Sequence, residues 1–194
     1  MTAPTPPVDL ATLRSFLNLS SADSSEDDEL AAMLTAATEQ VESVVGPMVA
    51  VSITDKVYGR NGMIVLRAPV LSVESISLLG SDSFDLTMLD IDLKSGVVSN
   101  PYGYALGYWW WSMPGASPMP FDVAYTAGWG TTADDVPQSL KQATMLVAEQ
   151  LWKTQRGPVT NRLAGGSTEQ VWMGFLWPKR AVDLLAPFVQ YAFA

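Results

Sequence analysis

The stretch that decides the fold is SEDDELAAMLTAATEQVESVVGP, residues 25–47. Its apolar residues recur every three or four positions, the spacing that places them on one face of an α-helix. Acidic residues fill the first turn, where the positive end of the helix dipole stabilises them, and Gly46-Pro47 ends the helix. The pattern predicts a long amphipathic helix packed against a core. Its apolar stripe consists of Leu30, Met33, Leu34, Ala37, Val41, Val44 and Val45.

Two other segments have helical spacing. Asp9 is a good N-cap for a short helix that carries Leu10, Leu13, Phe16 and Leu17. A longer helix is predicted near 137–156, because Pro137 suits the first helical position and Gly157-Pro158 ends the pattern. The buried face of this longer helix is predicted to contain Leu140, Ala143, Thr144, Val147, Leu151 and Trp152.

The sequence between these helices favours β-strands. Asn61-Gly62 is a strong hairpin signal, and Lys94-Ser95-Gly96 separates two further short apolar runs. Apolar and polar residues alternate over 73–78 and again over 121–125, as in strands with one buried face. We expect four to six short antiparallel strands.

Together these patterns predict an α+β protein. A small helical bundle, formed by two N-terminal helices and the long helix near 137–156, receives an inserted antiparallel β region and is followed by a C-terminal arm. The domain boundaries predicted from the sequence are an extended N-terminal arm at 1–7, a core at 8–156 with its β insertion at 49–128, and a linker with a docking segment at 157–194.

Composition excludes many functions. Among 194 residues there is no histidine and no cysteine, so neither a Ser-His nor a Cys-His nucleophile can form, and His- or Cys-ligated metals are excluded. No apolar run is long enough for a membrane-spanning helix. Hydrophobic residues make up 48% and charged residues 16%, which indicates more apolar surface than a monomer carries and therefore an assembly.

The charge is unevenly distributed along the chain. Residues 1–50 carry eight acidic residues and one basic residue, and residues 51–140 carry nine and four. Residues 141–194 carry three acidic and six basic residues, so the three nets of −7, −5 and +3 give the total of −9. A chain this acidic would repel phosphates and would not wrap nucleic acid.

A loop at 100–120 concentrates aromatic residues between Gly and Pro. It could stack on single-stranded bases, contact a protein partner or cover its own core. Base stacking normally needs a basic groove, and no Lys or Arg occurs between Lys94 and Lys141. A protein interface and internal packing both remain open. The residues proposed to contact a neighbouring or tail protein are Tyr108, Trp109, Trp110 and Trp111.

No catalytic constellation is found, and no cofactor is predicted. The acidic cluster that includes Asp23 and Glu29 lacks the spacing of a calcium-binding loop, and Asp90 with Asp92 fits an exposed strand face better than an acid–base pair. The C-terminal segment instead combines aromatic and basic side chains, the usual anchors of protein interfaces. These candidate docking residues are Arg156, Arg162, Trp172, Phe175, Trp177, Lys179 and Arg180.

The order of several short motifs resembles the head-to-tail connector (adaptor) proteins of long-tailed bacteriophages. The motifs are VDLATLR at 8–14, DDELAAMLTAA at 27–37 with VVG at 44–46, APVLSVESI at 68–76, VAYTAGW at 123–129 and VPQSLKQA at 136–143. The resemblance covers roughly residues 8–156 and lies in the order of the motifs.

This resemblance implies a structural virion protein at the head–tail interface, assembled in the host cytoplasm. It implies a homo-oligomeric ring of twelve copies that docks on the portal, extends the DNA channel and binds the next neck or tail protein. DNA would pass without specific binding, and no membrane is involved. By analogy, the C-terminal docking residues would reach the portal. Acids predicted to face the channel are Glu26, Asp27, Asp28, Asp90 and Asp92.

Two other functions are weighed against the adaptor. A tail-completion or stopper protein would attach lower in the neck, and the capped helix pair at the start favours the adaptor over it. A carboxylate-dependent hydrolase would use acids of the strand region. It predicts two carboxyl groups facing each other across a cleft.

Overall fold

The computed structural model describes residues 4–19, 25–59, 63–67, 69–78, 83–99, 101, 119–155 and 177–189. The α+β class is confirmed, and the chain divides into two compact units, residues 46–135 and residues 1–45 with 136–194. The helices are α1 (Leu10–Phe16), α2 (Asp27–Val45), α3 (Gln138–Gln155) and α4 (Lys179–Leu185). The strands are β1 (Val51–Gly59), β2 (Met63–Val65), β3 (Val70–Leu78), β4 (Asp90–Asp92), β5 (Val97–Ser99) and β6 (Met119–Ala127).

The helical unit is built on α2 and α3, which pack against each other. The predicted stripe of α2 is buried, except that Val44 in its last turn is 40% exposed. Two buried threonines do not disturb this contact, because Thr38 and Thr144 donate to the carbonyl oxygens of Leu34 and Leu140, at 2.7 and 2.9 Å. Each hydroxyl is thus satisfied within its own helix.

Short helices complete the helical unit at both ends of the chain. Asp9 caps α1 by accepting a 2.7 Å hydrogen bond from the Thr12 N–H, as predicted. Within the predicted C-terminal segment, α4 packs on α3 and buries Ala181 and Leu185. A 3-10 turn at Ala186–Phe188 follows, with Pro187 in it. This part of the C-terminal segment therefore belongs to the helical unit.

The β unit contains two three-stranded antiparallel sheets, in the orders β1-β6-β3 and β2-β5-β4. Side chains alternate between buried and exposed along the strands, so each sheet has one apolar face. Both sheets contribute to one core. Its most deeply buried members are Ile64, Ile76, Val98, Phe121, Val123, Tyr125 and Ala127.

The two predicted hairpins differ in outcome. The turn at 93–96 joins β4 to β5, which pair directly. Asn61 and Gly62 lie outside the described residues; β1 and β2, on either side of them, contact each other, but the ladder partner of β1 is β6 and that of β2 is β5. β6 occupies one edge of β1 over nine residues, and β2 instead joins β5 in the other sheet.

Candidate functional site

The acids in the first turn of α2 are not equivalent. Asp27 forms an ion pair with Arg14, whose side chain is only 12% exposed. Glu26 is half-buried, whereas Asp28 is exposed. The Arg14 guanidinium thus offsets one charge of the predicted acidic cluster, and Asp28 presents its carboxylate to solvent.

Asp90 and Asp92 lie on the same exposed face of β4, as their alternation predicted. Asp92 also holds the turn that follows: its carboxylate accepts hydrogen bonds from the Ser95 hydroxyl at 2.6 Å and the Lys94 N–H at 3.0 Å. These two bonds, the Ser95 bond first, lower the pKa of Asp92. A hydrolase needs one carboxyl whose pKa is raised, and this pair lies side by side on one strand. The geometry does not favour that function.

We expect the stabilising contribution of Asp92 to depend on pH. Because its folded pKa lies below the unfolded value, the contribution is present above the unfolded pKa and disappears as the pH falls through the folded one. Asp92→Ala should therefore lower the melting temperature at pH 7, and the difference from the parent chain should vanish at strongly acidic pH. Thermal melts of both proteins from pH 7 to pH 2 measure this. A difference independent of pH would contradict the assignment.

The first turn of α4 exposes two cations, Lys179 and Arg180. Positive charge at a helix N-terminus is disfavoured by the helix dipole, and no acidic side chain in this turn compensates it. Trp177, two residues before the helix, is half-buried. The helix dipole therefore does not explain these two cations, and both are open to solvent.

The other predicted docking residues lie outside the described part of the chain. These are Arg156, Arg162, Trp172 and Phe175 of the C-terminal segment, and Tyr108, Trp109, Trp110 and Trp111 of the aromatic loop. Their roles stay predictions.

Sequence reasoning missed three exposed apolar side chains, one on β1 and two on β2. Tyr58 is 63% exposed, Met63 48% and Val65 55%. Both strands direct their other side chains to the shared core, through Val57 on β1 and Ile64 on β2. The available signal was that Met63, Ile64 and Val65 are all apolar, so that a strand there must expose some of them.

Within the described ranges, no three acidic side chains converge in a way that could hold a metal ion. None of the described helices combines the length and apolar character needed to cross a membrane.

Comparison with known proteins gives a fold similarity. No protein family model and no curated protein matches the chain. Among solved structures, a chain in the neck of an empty gene transfer agent (GTA) particle, computed with C6 symmetry, is similar at TM-score 0.65 and 20% identity, covering 100% of this chain and 95% of that one. A chain of the native GTA virion is similar at TM-score 0.65 and 18% identity, covering 100% of this chain and 95% of that one. A chain in the native GTA neck, computed with C12 symmetry, is similar at TM-score 0.62 and 18% identity, covering 100% of this chain and 94% of that one. These similarities establish a shared fold.

Proposed function

We propose that this chain is a structural, non-enzymatic neck protein of a bacteriophage-like particle. The observation that carries the proposal is the similarity in fold to chains of the GTA neck, over 100% of this chain and 95% and 94% of those chains. The order of sequence motifs, which resembles phage connectors, supports it independently. The absence of histidine and cysteine fits a protein without chemistry of its own.

The finer proposal is an adaptor ring of twelve copies that binds the portal, extends the DNA channel and receives the next neck or tail protein. The C6 and C12 symmetries of the related necks support a cyclic ring. In the virion this ring lies at the head–tail interface, after assembly in the host cytoplasm. Incubating the purified chain with a portal ring and then measuring mass by light scattering tests the proposal. A ring that binds a tail component but not the portal would favour the stopper function.

The C-terminal segment is proposed to bind the portal, and Lys179 and Arg180 are its described cations. We expect Lys179→Glu/Arg180→Glu to weaken portal binding at least tenfold, because two favourable charges become repulsive. Each single variant should weaken it about threefold. Lys94→Glu is the control for each single variant, since it makes the same change of charge at an exposed turn of the β unit. Surface plasmon resonance against immobilised portal measures these affinities, and equal binding by all variants would contradict the assignment.

The channel is proposed to be lined by acids, with Asp28 and Asp90 as exposed representatives of the two groups. Carboxylates repel phosphates and let DNA slide. Asp28→Lys/Asp90→Lys rings should therefore retain duplex DNA in a gel-shift assay at low salt and release it as salt rises. Asp183→Lys, at an exposed position of α4, is the control and should leave DNA unbound. DNA retention by the control alone would place the channel elsewhere.

A further inference from the structure

The two edges of the sheet β1-β6-β3 differ in how their backbone groups are used. At the β3 edge, the Phe84 N–H donates to the carbonyl oxygen of Ile76 at 2.8 Å. The Val70 N–H donates to the carbonyl oxygen of Leu93 at 3.3 Å. The register of β3 with β6 is also interrupted at two points. Covering segments and irregular register protect a sheet edge from further pairing, so the β3 edge is closed to another strand.

The β1 edge has neither protection. β1 pairs with β6 in an unbroken register of nine residues, Val51 to Gly59. Within the described ranges, no backbone hydrogen bond reaches residues 51–59 from the side opposite β6. β2 contacts β1 but takes its ladder partner from the other sheet. A regular strand with an unused row of N–H and C=O groups is a template for one more strand.

The side chains on the core side of β1 define what an added strand would meet. Ile53 and Val57 pack against the β core but are only half-buried, and Asp55 between them is half-buried as well. Asp55 lies near the Tyr125 hydroxyl, and burial raises the pKa of Tyr125, so this neighbour stays neutral at pH 7. Arg67 also lies near this hydroxyl, but it is exposed and forms no ion pair with Asp55. An inward charge of this kind disfavours an apolar strand and favours one with a cation opposite.

A second copy of this chain does not fit the β1 edge. Antiparallel pairing of the whole of β1 with β1 of another copy would place Asp55 opposite Asp55, and like charges directly opposite each other are destabilising. Among the described strands, β2, β4 and β5 have three residues each, β6 is central and the β3 edge is covered. The edge therefore fits a segment of another protein better.

We propose that the β1 edge docks an extended segment of a different protein by strand addition. The segment carries a basic side chain opposite Asp55 and apolar side chains opposite Ile53 and Val57. It pairs the inward charge and covers the two half-buried residues, while its backbone hydrogen bonds supply most of the affinity. This docking edge goes beyond the proposed neck function and does not depend on the ring.

Tethered peptides test the docking, because the chain has no cysteine and one engineered cysteine fixes the attachment point. Ser52→Cys places it at an exposed position of β1. The probe is the peptide Thr-Val-Glu-Arg-Thr-Val-Cys, whose antiparallel register sets its cysteine opposite position 52 and its arginine opposite Asp55. Its mixed disulfide with the protein, followed by mass spectrometry, should survive about tenfold more 2-mercaptoethanol than that of the same peptide methylated on its backbone nitrogens.

Ser43→Cys is the matched control, because it makes the same substitution at an exposed position of α2, where no strand edge is present. It should retain both peptides equally. Equal retention of the two peptides by Ser52→Cys would overturn strand addition.

The charge of the segment is tested on the same protein. Replacing the arginine of the peptide by aspartate should lower its retention about fivefold, and Asp55→Asn should abolish that difference. Equal retention or a preference for aspartate would overturn the basic partner.

A peptide of residues 51–57 followed by cysteine represents a second copy and should be retained less well than the arginine peptide. Stronger retention would overturn the proposal in favour of pairing between copies. Light scattering of the same samples reports on the ring separately, so that failure of the docking and failure of the ring are distinguishable.

Discussion

Phe121→Ala is expected to lower the free energy of unfolding of the β unit by about 4 kcal/mol, the cost of removing a fully buried aromatic ring. Phe121 is 1% exposed and lies on β6, the central strand of its sheet. Its ring packs against that of Phe84, with centroids 5.9 Å apart and an angle of 47°. The register places it between Val57 and Leu78, so the neighbouring strands lose a packing partner on both sides.

Urea unfolding followed by tryptophan fluorescence measures this effect, since Trp129 belongs to the β unit. Tyr58→Ala is the control. It removes an aromatic side chain from β1 of the same sheet, but Tyr58 is 63% exposed, so the change should stay within about 0.5 kcal/mol. Similar losses for the two variants would mean that the core is placed wrongly.

Gly128→Ala is expected to destabilise the β unit by about 2 to 3 kcal/mol, although it adds one methyl group. A Cβ at Gly128 would lie 2.8 Å from the Ala50 N and 2.9 Å from the Ala50 Cα. These are backbone atoms, and they cannot move freely because Ala50 donates to the carbonyl oxygen of Gly130 at 2.9 Å and Gly128 donates to that of Pro69 at 3.0 Å. The added methyl group must therefore push apart the backbone at the junction between Gly128 and Ala50.

Ser52→Ala is the control for Gly128→Ala, because Ser52 is exposed on β1 close to the same junction and should tolerate the change. Differential scanning calorimetry of both variants gives the comparison. A Gly128→Ala protein as stable as its parent would show that β6 does not approach residues 49–50 this closely.

The helices could be predicted because their signals are local. The 3.6-residue period of α2 and the cap at Asp9 depend on neighbours in sequence, and both agree with the structure. The exposure of Val44 could not be predicted from this period, because Val44 lies at the same helical angle as the buried residues of the stripe. It differs from them only in being 40% exposed, in the last turn of α2.

Strand partners could not be predicted in the same way. Alternation located the strands, but β1 pairs with β6, which begins sixty residues after β1 ends, and no local pattern encodes that choice. The hairpin predicted at Asn61-Gly62 does not form a β1–β2 ladder, and Asn61 and Gly62 themselves lie outside the described residues. The sequence could nominate the charged residues of the candidate site by their type. It could not predict that Asp92 accepts a hydrogen bond in the following turn or that Asp27 pairs with Arg14, because these contacts depend on the folded distances between side chains.

The packing of α4 on α3 changes how portal binding should be tested. A truncation before residue 157 would remove Ala181 and Leu185 from the helical core together with the docking residues. Lost binding would then have two explanations. Reversing the charge of the exposed side chains Lys179 and Arg180 leaves Ala181 and Leu185 in the helical core, so that a loss of portal binding can be assigned to the two cations.

The central claim is that this chain forms a ring in the neck of a phage-like particle. Mass photometry of the purified protein, alone and with a portal ring, tests it most directly. We expect a species of twelve copies of the 20.9 kDa chain, either free or bound to the portal. A 20.9 kDa monomer that persists at all concentrations and adds no mass to the portal would contradict the claim.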